Sequence, residues 1–195
     1  MAQVRPMRAD ARRNRERLLA AAVEAFAAQG EGASLDDIAK RAGVGSGTLY
    51  RHFPTRRALL EAVYADRIDA LAARAGDLAE RLPPGPALRA WLDELGAGMI
   101  RIRGLRALLG PAVGSGPDGG PDGGPGCCDP LLGAAELLVG AARRAGELRP
   151  DVEAVDVLRL VHGVAAASEL ADGDGGQLRR YVGLLVEGLA PRPRA

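Results

Sequence analysis

The chain has 195 residues, room for one medium domain or for a small domain followed by a larger one, with a substantial buried core. It is 47% hydrophobic but only 3% aromatic, which favours an all-helical fold. The absence of any run of about 18 apolar residues, or of an apolar secretion signal, argues against a membrane protein and predicts a cytoplasmic one. The net charge is only +1, yet residues 1–60 hold 11 Lys and Arg against 6 Asp and Glu, whereas residues 61–195 hold 15 against 19. A basic N-terminal segment followed by an acidic remainder is typical of a nucleic-acid-binding protein.

The first predicted helix covers residues 10–29. Its apolar face recurs at helical spacing and consists of Leu18, Leu19, Ala22, Val23 and Phe26. Residues 1–9 are predicted to be an unstructured basic arm. Such an arm is either a solvated charge run or a segment that follows the phosphate backbone of DNA, and the sequence leaves both open.

Residues 34–53 predict two short amphipathic helices joined by a glycine turn. Ser34 is a natural N-cap of the first helix, and Gly43 suits the left-handed conformation that ends it. The second helix begins at Ser46 and turns Leu49 and Phe53 inward. Its outer side chains can all donate hydrogen bonds to phosphates or base edges, and they are Ser46, Thr48, Tyr50, Arg51 and His52. This is a helix-turn-helix pattern.

The stretch that reads Asp-Asp-Ile-Ala-Lys-Arg-Ala-Gly-Val at residues 36–44 is followed by Gly-Thr-Leu-Tyr-Arg-His-Phe-Pro-Thr-Arg at residues 47–56. Together they resemble the DNA-binding signature of the TetR family of bacterial transcriptional repressors. The resemblance implies a TetR-type helix-turn-helix domain over residues 11–71. It also implies a larger helical domain over residues 72–195 that binds a small molecule and dimerises. The implied DNA-binding residues are Ser34, Gly45, Ser46, Gly47, Thr48, Tyr50, Arg51, His52, Thr55 and Arg56.

The same resemblance assigns roles to these residues. Thr48 and Tyr50 would contact bases or phosphates, and the backbone N–H of Arg56 would hold a phosphate at the start of the fourth helix. The chain departs from the family pattern at Gly45 and Ser46, where many members have Ser followed by Lys or Arg. Guanine readout at this point is therefore not expected, and Arg51 or the N-terminal arm is expected to compensate.

Five further helices are predicted over residues 55–82, 87–109, 131–145, 151–171 and 175–189, with Pro83 to Pro86 breaking the chain between the first two. One apolar stripe is either plain core or the wall of a ligand pocket, and it contains Trp91, Leu95, Met99 and Ile102. His162 is either a structural histidine or a further ligand contact. The effector is not identified by the sequence, but an apolar cavity favours a hydrophobic or weakly polar molecule.

Residues 110–130 hold 8 Gly and 5 Pro among 21 positions, which predicts a mobile loop because so little apolar area cannot offset the entropy of ordering. The only cysteines, Cys127 and Cys128, lie in this segment. They are adjacent and have no clustered histidine nearby, so neither a disulfide nor a metal site is expected.

The last two helices carry apolar stripes that either form the protein's own core or meet a second copy in a four-helix interface, and the resemblance favours the dimer. The predicted function is a homodimeric repressor that binds double-stranded DNA at a near-palindromic operator and leaves it when a small, mainly apolar ligand binds. The alternative is a DNA-binding regulator that is controlled by a protein partner or has no small-molecule effector. An enzyme is not expected, because two histidines and four serines occur without a catalytic motif, and no cofactor is implied.

Overall fold

The computed structural model describes residues 4–102, 129–170 and 175–191. Within these ranges every regular element is a helix and no strand occurs, which confirms the predicted all-α fold. The eight α-helices are α1 (Val4–Gln29), α2 (Leu35–Arg41), α3 (Ser46–His52), α4 (Arg56–Arg81), α5 (Pro84–Arg101), α6 (Asp129–Arg144), α7 (Ala154–Leu170) and α8 (Gly175–Gly188). None of the described helices is both long enough and apolar enough to cross a membrane.

The described residues divide into two compact units. The N-terminal unit ends at Ala65 and the C-terminal unit begins at Asp66, so α4 contributes to both. The segment predicted to be a mobile loop lies outside the described residues, except that Asp129 and Pro130 begin α6.

The N-terminal unit is built on α1, which packs against α2, while α2 packs against α3. The prediction that residues 1–9 are unstructured is wrong from Val4 onward, since the backbone is helical there. Pro6 is compatible with this start because a proline in the first turn removes no intrahelical hydrogen bond. Val23 belongs to the predicted apolar face, yet it is 48% exposed. The helical period turns it about 140° away from the fully buried Leu18.

The C-terminal unit is organised around α5, which packs against α6, α7 and α8. The prediction that prolines keep residues 84–86 out of this helix is wrong, because α5 begins at Pro84. The carboxylate of Glu147 accepts a hydrogen bond from the backbone N–H of Gly85 at 3.1 Å. An acidic group at this position satisfies one of the free N–H groups of the first turn and lies favourably in the helix dipole.

The apolar stripes of α7 and α8 face the interior of the C-terminal unit. Val161, Ala165, Leu178 and Val182 are all buried within this chain. Of the two alternatives that the sequence left open, an intramolecular core therefore describes these stripes. A different face of the two helices is exposed.

Candidate nucleic-acid interface

The connection between α2 and α3 has the geometry predicted for a helix-turn-helix. The hydroxyl oxygen of Ser34 accepts a hydrogen bond from the backbone N–H of Asp37 at 3.3 Å, which confirms Ser34 as the N-cap of α2. Gly43 has φ = +67°, the left-handed conformation expected of it. The backbone N–H of Val44 closes the turn by donating to the carbonyl of Ala39 at 3.0 Å. The turn therefore ends α2 before α3 begins at Ser46.

Helix α3 has one buried side and one polar side. Leu49 is buried, as is Phe53 just after the helix, and these two side chains hold α3 on the N-terminal unit. Tyr50 is 48% exposed, which leaves its phenol hydroxyl available to a partner. Arg51 is also exposed, whereas Ser46, Thr48 and His52 are half-buried. The predicted contacts of this helix therefore lie together on a single short element.

Three polar side chains of α3 are engaged within the protein: Ser46, Thr48 and Arg51. The guanidinium of Arg51 folds back along the helix and donates from Nε to the carbonyl of Gly47 and from Nη2 to the hydroxyl of Thr48, both at 3.2 Å. The hydroxyl of Ser46 donates to the carboxylate of Asp36 in α2 at 2.7 Å. The sequence pattern does not predict this bond between Ser46 and Asp36, although both residues lie in the motif.

No neighbouring atom in the described structure requires glycine at residues 45 and 47. A Cβ atom added at either position meets no heavy atom within 4 Å. Gly45 has φ = −75°, a value that any residue adopts. Since a glycine in a helix reduces stability, the fold itself gives no reason for Gly47.

The start of α4 carries the remaining predicted contacts. Thr55 caps this helix, because its hydroxyl accepts from the backbone N–H of Ala58 at 3.0 Å. The side chain of Arg56 turns inward and donates to the carbonyls of Ala33 at 2.6 Å and Gly30 at 3.3 Å. Its guanidinium also lies 5.3 Å from the centre of the Phe26 ring. The side chain thus ties the end of α1 to the start of α4, and the backbone N–H is the part of this residue that was predicted to meet a phosphate.

The predicted ligand residues lie in the C-terminal unit. Trp91, Leu95 and Met99 are buried in the core along α5, and the indole N–H of Trp91 donates to the carbonyl of Leu71 at 2.8 Å. Ile102 and His162 are half-buried. The burial of Trp91, Leu95 and Met99 fits core packing, and a ligand contact along this stripe stays a prediction. In the part of the chain that the structure describes, no three His, Cys, Asp or Glu side chains are grouped to hold a metal ion.

A charged group that no sequence motif predicts lies on α5. Asp93 has one carboxylate oxygen buried without a hydrogen-bond partner. Burial raises the pKa of Asp93, and the positive charges of Arg89 and Arg179 oppose part of that rise. A local motif cannot predict such a residue, because the arginines near it, Arg89 and Arg179, come from two different helices.

A capped helix, a left-handed glycine and a second helix with an exposed polar side define a helix-turn-helix protein, a class that inserts its second helix into the major groove of DNA. Comparisons with known families agree. Residues 18–63 match the family profile described as bacterial regulatory proteins, tetR family, and residues 83–191 match the profile of the SbtR-like transcriptional regulator C-terminal domain. The chain belongs to the TetR family of transcriptional regulators.

Individual relatives give the same assignment. An uncharacterized HTH-type transcriptional regulator of Pseudomonas putida, TtgW, is 47% identical over 60 residues, which are 30% of this chain and 45% of that protein, so the match covers less than half of the relative. The crystal structure of a TetR transcriptional regulator from Streptomyces coelicolor is 37% identical, with 92% of this chain and 99% of that chain covered and a TM-score of 0.53. The fold is also shared with Thermus thermophilus FadR, a TetR-family repressor in complex with lauroyl-CoA, at 23% identity, 92% and 97% coverage and a TM-score of 0.63.

Proposed function

We propose that this protein is a homodimeric repressor that binds a near-palindromic operator through α3 and is released by a small, mainly apolar effector. The observation that carries the proposal is the exposure of Tyr50, at 48%, one residue after the buried Leu49. The tyrosine ring can bury a large apolar surface when it contacts a partner, and its hydroxyl can form a hydrogen bond to a phosphate or a base.

The charge of the N-terminal unit supports a DNA partner. The surplus of basic residues in the first 60 positions supplies the sequence-independent part of the affinity, because each neutralised phosphate releases counterions. Thr48, Tyr50 and His52 would contact bases and phosphates from α3. Thr55 and the backbone N–H of Arg56 would hold a phosphate at the start of the 26-residue helix α4.

The DNA contact is tested by titrating a labelled duplex from the region upstream of the protein's own gene and following its anisotropy at several salt concentrations. Tyr50→Ala is expected to weaken binding about tenfold or more, since it removes a buried contact and a hydrogen bond at each half-site. Val23→Ala is the matched control, because Val23 is equally exposed at 48% but lies on α1. Equal affinity of Tyr50→Ala and the wild-type protein would refute the assignment of α3.

The dimer is proposed to form on the exposed face of α7 and α8. Leu160 is 41% exposed and Leu184 is 55% exposed, and Gly163 and Ala167 lie on the same side of α7 as Leu160 at helical spacing. Small residues next to leucines allow a second pair of helices to approach closely. Leu184→Arg is expected to give a monomer in sedimentation equilibrium. Leu137→Arg on α6, where the native leucine is 46% exposed, is expected to leave a dimer. A Leu184→Arg protein that remains dimeric refutes this interface.

Release by an effector is proposed for the C-terminal unit. Support comes from the shared fold of the Thermus thermophilus repressor, which was crystallised with lauroyl-CoA. An effector that prefers the conformation with lower operator affinity reduces repression by its differential affinity for the two states. A thermal-stability screen of acyl and aromatic metabolites, followed by operator release, tests this step. A screen without a stabilising compound favours the alternative, a regulator that responds to a protein partner or to no small molecule.

A further inference from the structure

The contact between Asp36 and Ser46 bears on which bases the protein selects. Ser46 is the first residue of α3, and its hydroxyl donates to the Asp36 carboxylate at 2.7 Å. Asp36 lies in the first turn of α2 and is exposed. The two side chains therefore form an acidic, hydrogen-bonded pair beside the helix that is proposed to enter the groove.

The direction of this hydrogen bond decides what the pair can recognise. A serine hydroxyl has one donor and two acceptor lone pairs. Because the donor of Ser46 is committed to Asp36, the hydroxyl oxygen and the carboxylate present only acceptors to a third group. In the major groove, cytosine N4 and adenine N6 are donors, whereas guanine O6 and N7 and thymine O4 are acceptors.

Neighbouring side chains do not cover the pair formed by Asp36 and Ser46. Added Cβ atoms at the neighbouring Gly45 and Gly47 would meet no heavy atom within 4 Å, so these residues place no side chain between the pair and the DNA. Tyr50 follows Ser46 by four residues and shares its side of the helix. Arg51 donates to Gly47 and Thr48 along the same helix, so these donors of its guanidinium are engaged away from Asp36.

We propose that Asp36 and Ser46 form a specificity-determining pair that selects cytosine or adenine at one position of each half-site and disfavours guanine and thymine there. The inference rests on the proposed binding of α3 in the major groove. It names which base edge the start of the helix reads.

The test is selection from a library of randomised duplexes, followed by sequencing of the bound fraction for each variant. The wild-type protein is expected to favour cytosine or adenine about tenfold or more at one symmetric position of the site. Asp36→Ala frees the hydroxyl of Ser46 to donate, and Ser46→Ala removes it, so both variants are expected to lose most of this preference while the rest of the site is unchanged. The double variant is expected to match the single variants, because the two residues act as one unit.

Asp37→Ala is the matched control. It removes the same charge from the same turn of α2, so it is expected to change overall affinity slightly and to keep the selected bases. Guanine or thymine at the affected position with wild-type protein overturns the inference, as does an unchanged site with Asp36→Ala. Failure of the wild-type protein to select any duplex refutes the proposed function instead, so the two failures are distinguishable.

Discussion

Replacing Gly47 by alanine should separate stability from DNA binding. The added methyl group meets no heavy atom within 4 Å, so it introduces no clash. Alanine in a helix is more favourable than glycine by roughly 0.5–1 kcal/mol. Because Gly47 lies in the first turn, we take the lower value, about 0.5 kcal/mol. For a chain of this length that corresponds to an increase in Tm of about 1–2 °C.

The same methyl group should weaken DNA binding. If the backbone of α3 approaches the groove at Gly47, the methyl group holds the helix away and disrupts at least one hydrogen bond per half-site, about 1 kcal/mol. On an operator with two half-sites the loss is about 2 kcal/mol, or roughly 30-fold in Kd. The measurements are a thermal melt followed by circular dichroism and a duplex titration by anisotropy at fixed salt.

Gly76→Ala provides the matched control. Gly76 lies within α4, and a Cβ atom there also meets nothing within 4 Å. Its replacement is expected to raise Tm by at least as much and to leave the Kd for DNA unchanged. A Gly47→Ala protein that melts higher but binds the operator as tightly as the wild type would show that the backbone does not make a close approach there.

Three further substitutions test contacts described above. Arg56→Lys should lower Tm by about 2–8 °C in a thermal melt, because an ammonium cannot satisfy two backbone carbonyls and stack on Phe26 as a guanidinium does, a loss of about 1–2 kcal/mol. Glu147→Ala should lower the free energy of unfolding in urea by about 0.5–1 kcal/mol, because the N–H of Gly85 loses its acceptor. Asp93→Asn should have a higher Tm than the wild type at pH 7, because the raised pKa of Asp93 means that its ionised form opposes folding. Calorimetry should show this difference in Tm vanish as the pH falls below about 4, where the carboxyl group becomes protonated in both states.

A different result would refute each of these three predictions. An Arg56→Lys protein with wild-type Tm would mean that the bonds to the backbone carbonyls contribute nothing. Glu136→Ala removes an exposed acid from α6 and should leave the free energy of unfolding unchanged, so an equal loss in this variant would implicate net charge instead. For Asp93→Asn, an advantage that persists below pH 4 would point to packing, because neither state carries the charge there.

Features set by nearby residues were predictable from the sequence. The Ser34 cap and the left-handed Gly43 depend on neighbours within a few positions, and both are confirmed. The predicted starts of α1 and α5, at residues 10 and 87, both lie after the observed ones, at Val4 and Pro84. The basic run before residue 10 is typical of a solvated arm, and the prolines at residues 83–86 are typical of a break. A proline ends a helix in its interior but is compatible with its first turn, and the sequence alone does not say which applies.

Features set by distant residues were not predictable. The carbonyls that Arg56 caps lie 26 and 23 residues earlier in the chain, and nothing local links them. The bond between Asp36 and Ser46 joins residues ten positions apart on separate helices. Only the packing of α2 against α3 brings them together. The motif therefore placed the helices, while the orientations of these side chains depend on tertiary contacts.

The hydrogen-bonded indole of Trp91 gives the protein an internal optical probe. Trp91 is the only tryptophan in the chain, it is fully buried, and it belongs to the C-terminal unit. Its emission should therefore be blue-shifted in the folded protein and should report unfolding of that unit alone, whereas the helical signal comes from both. A difference between the two transitions would measure how independently the two units unfold.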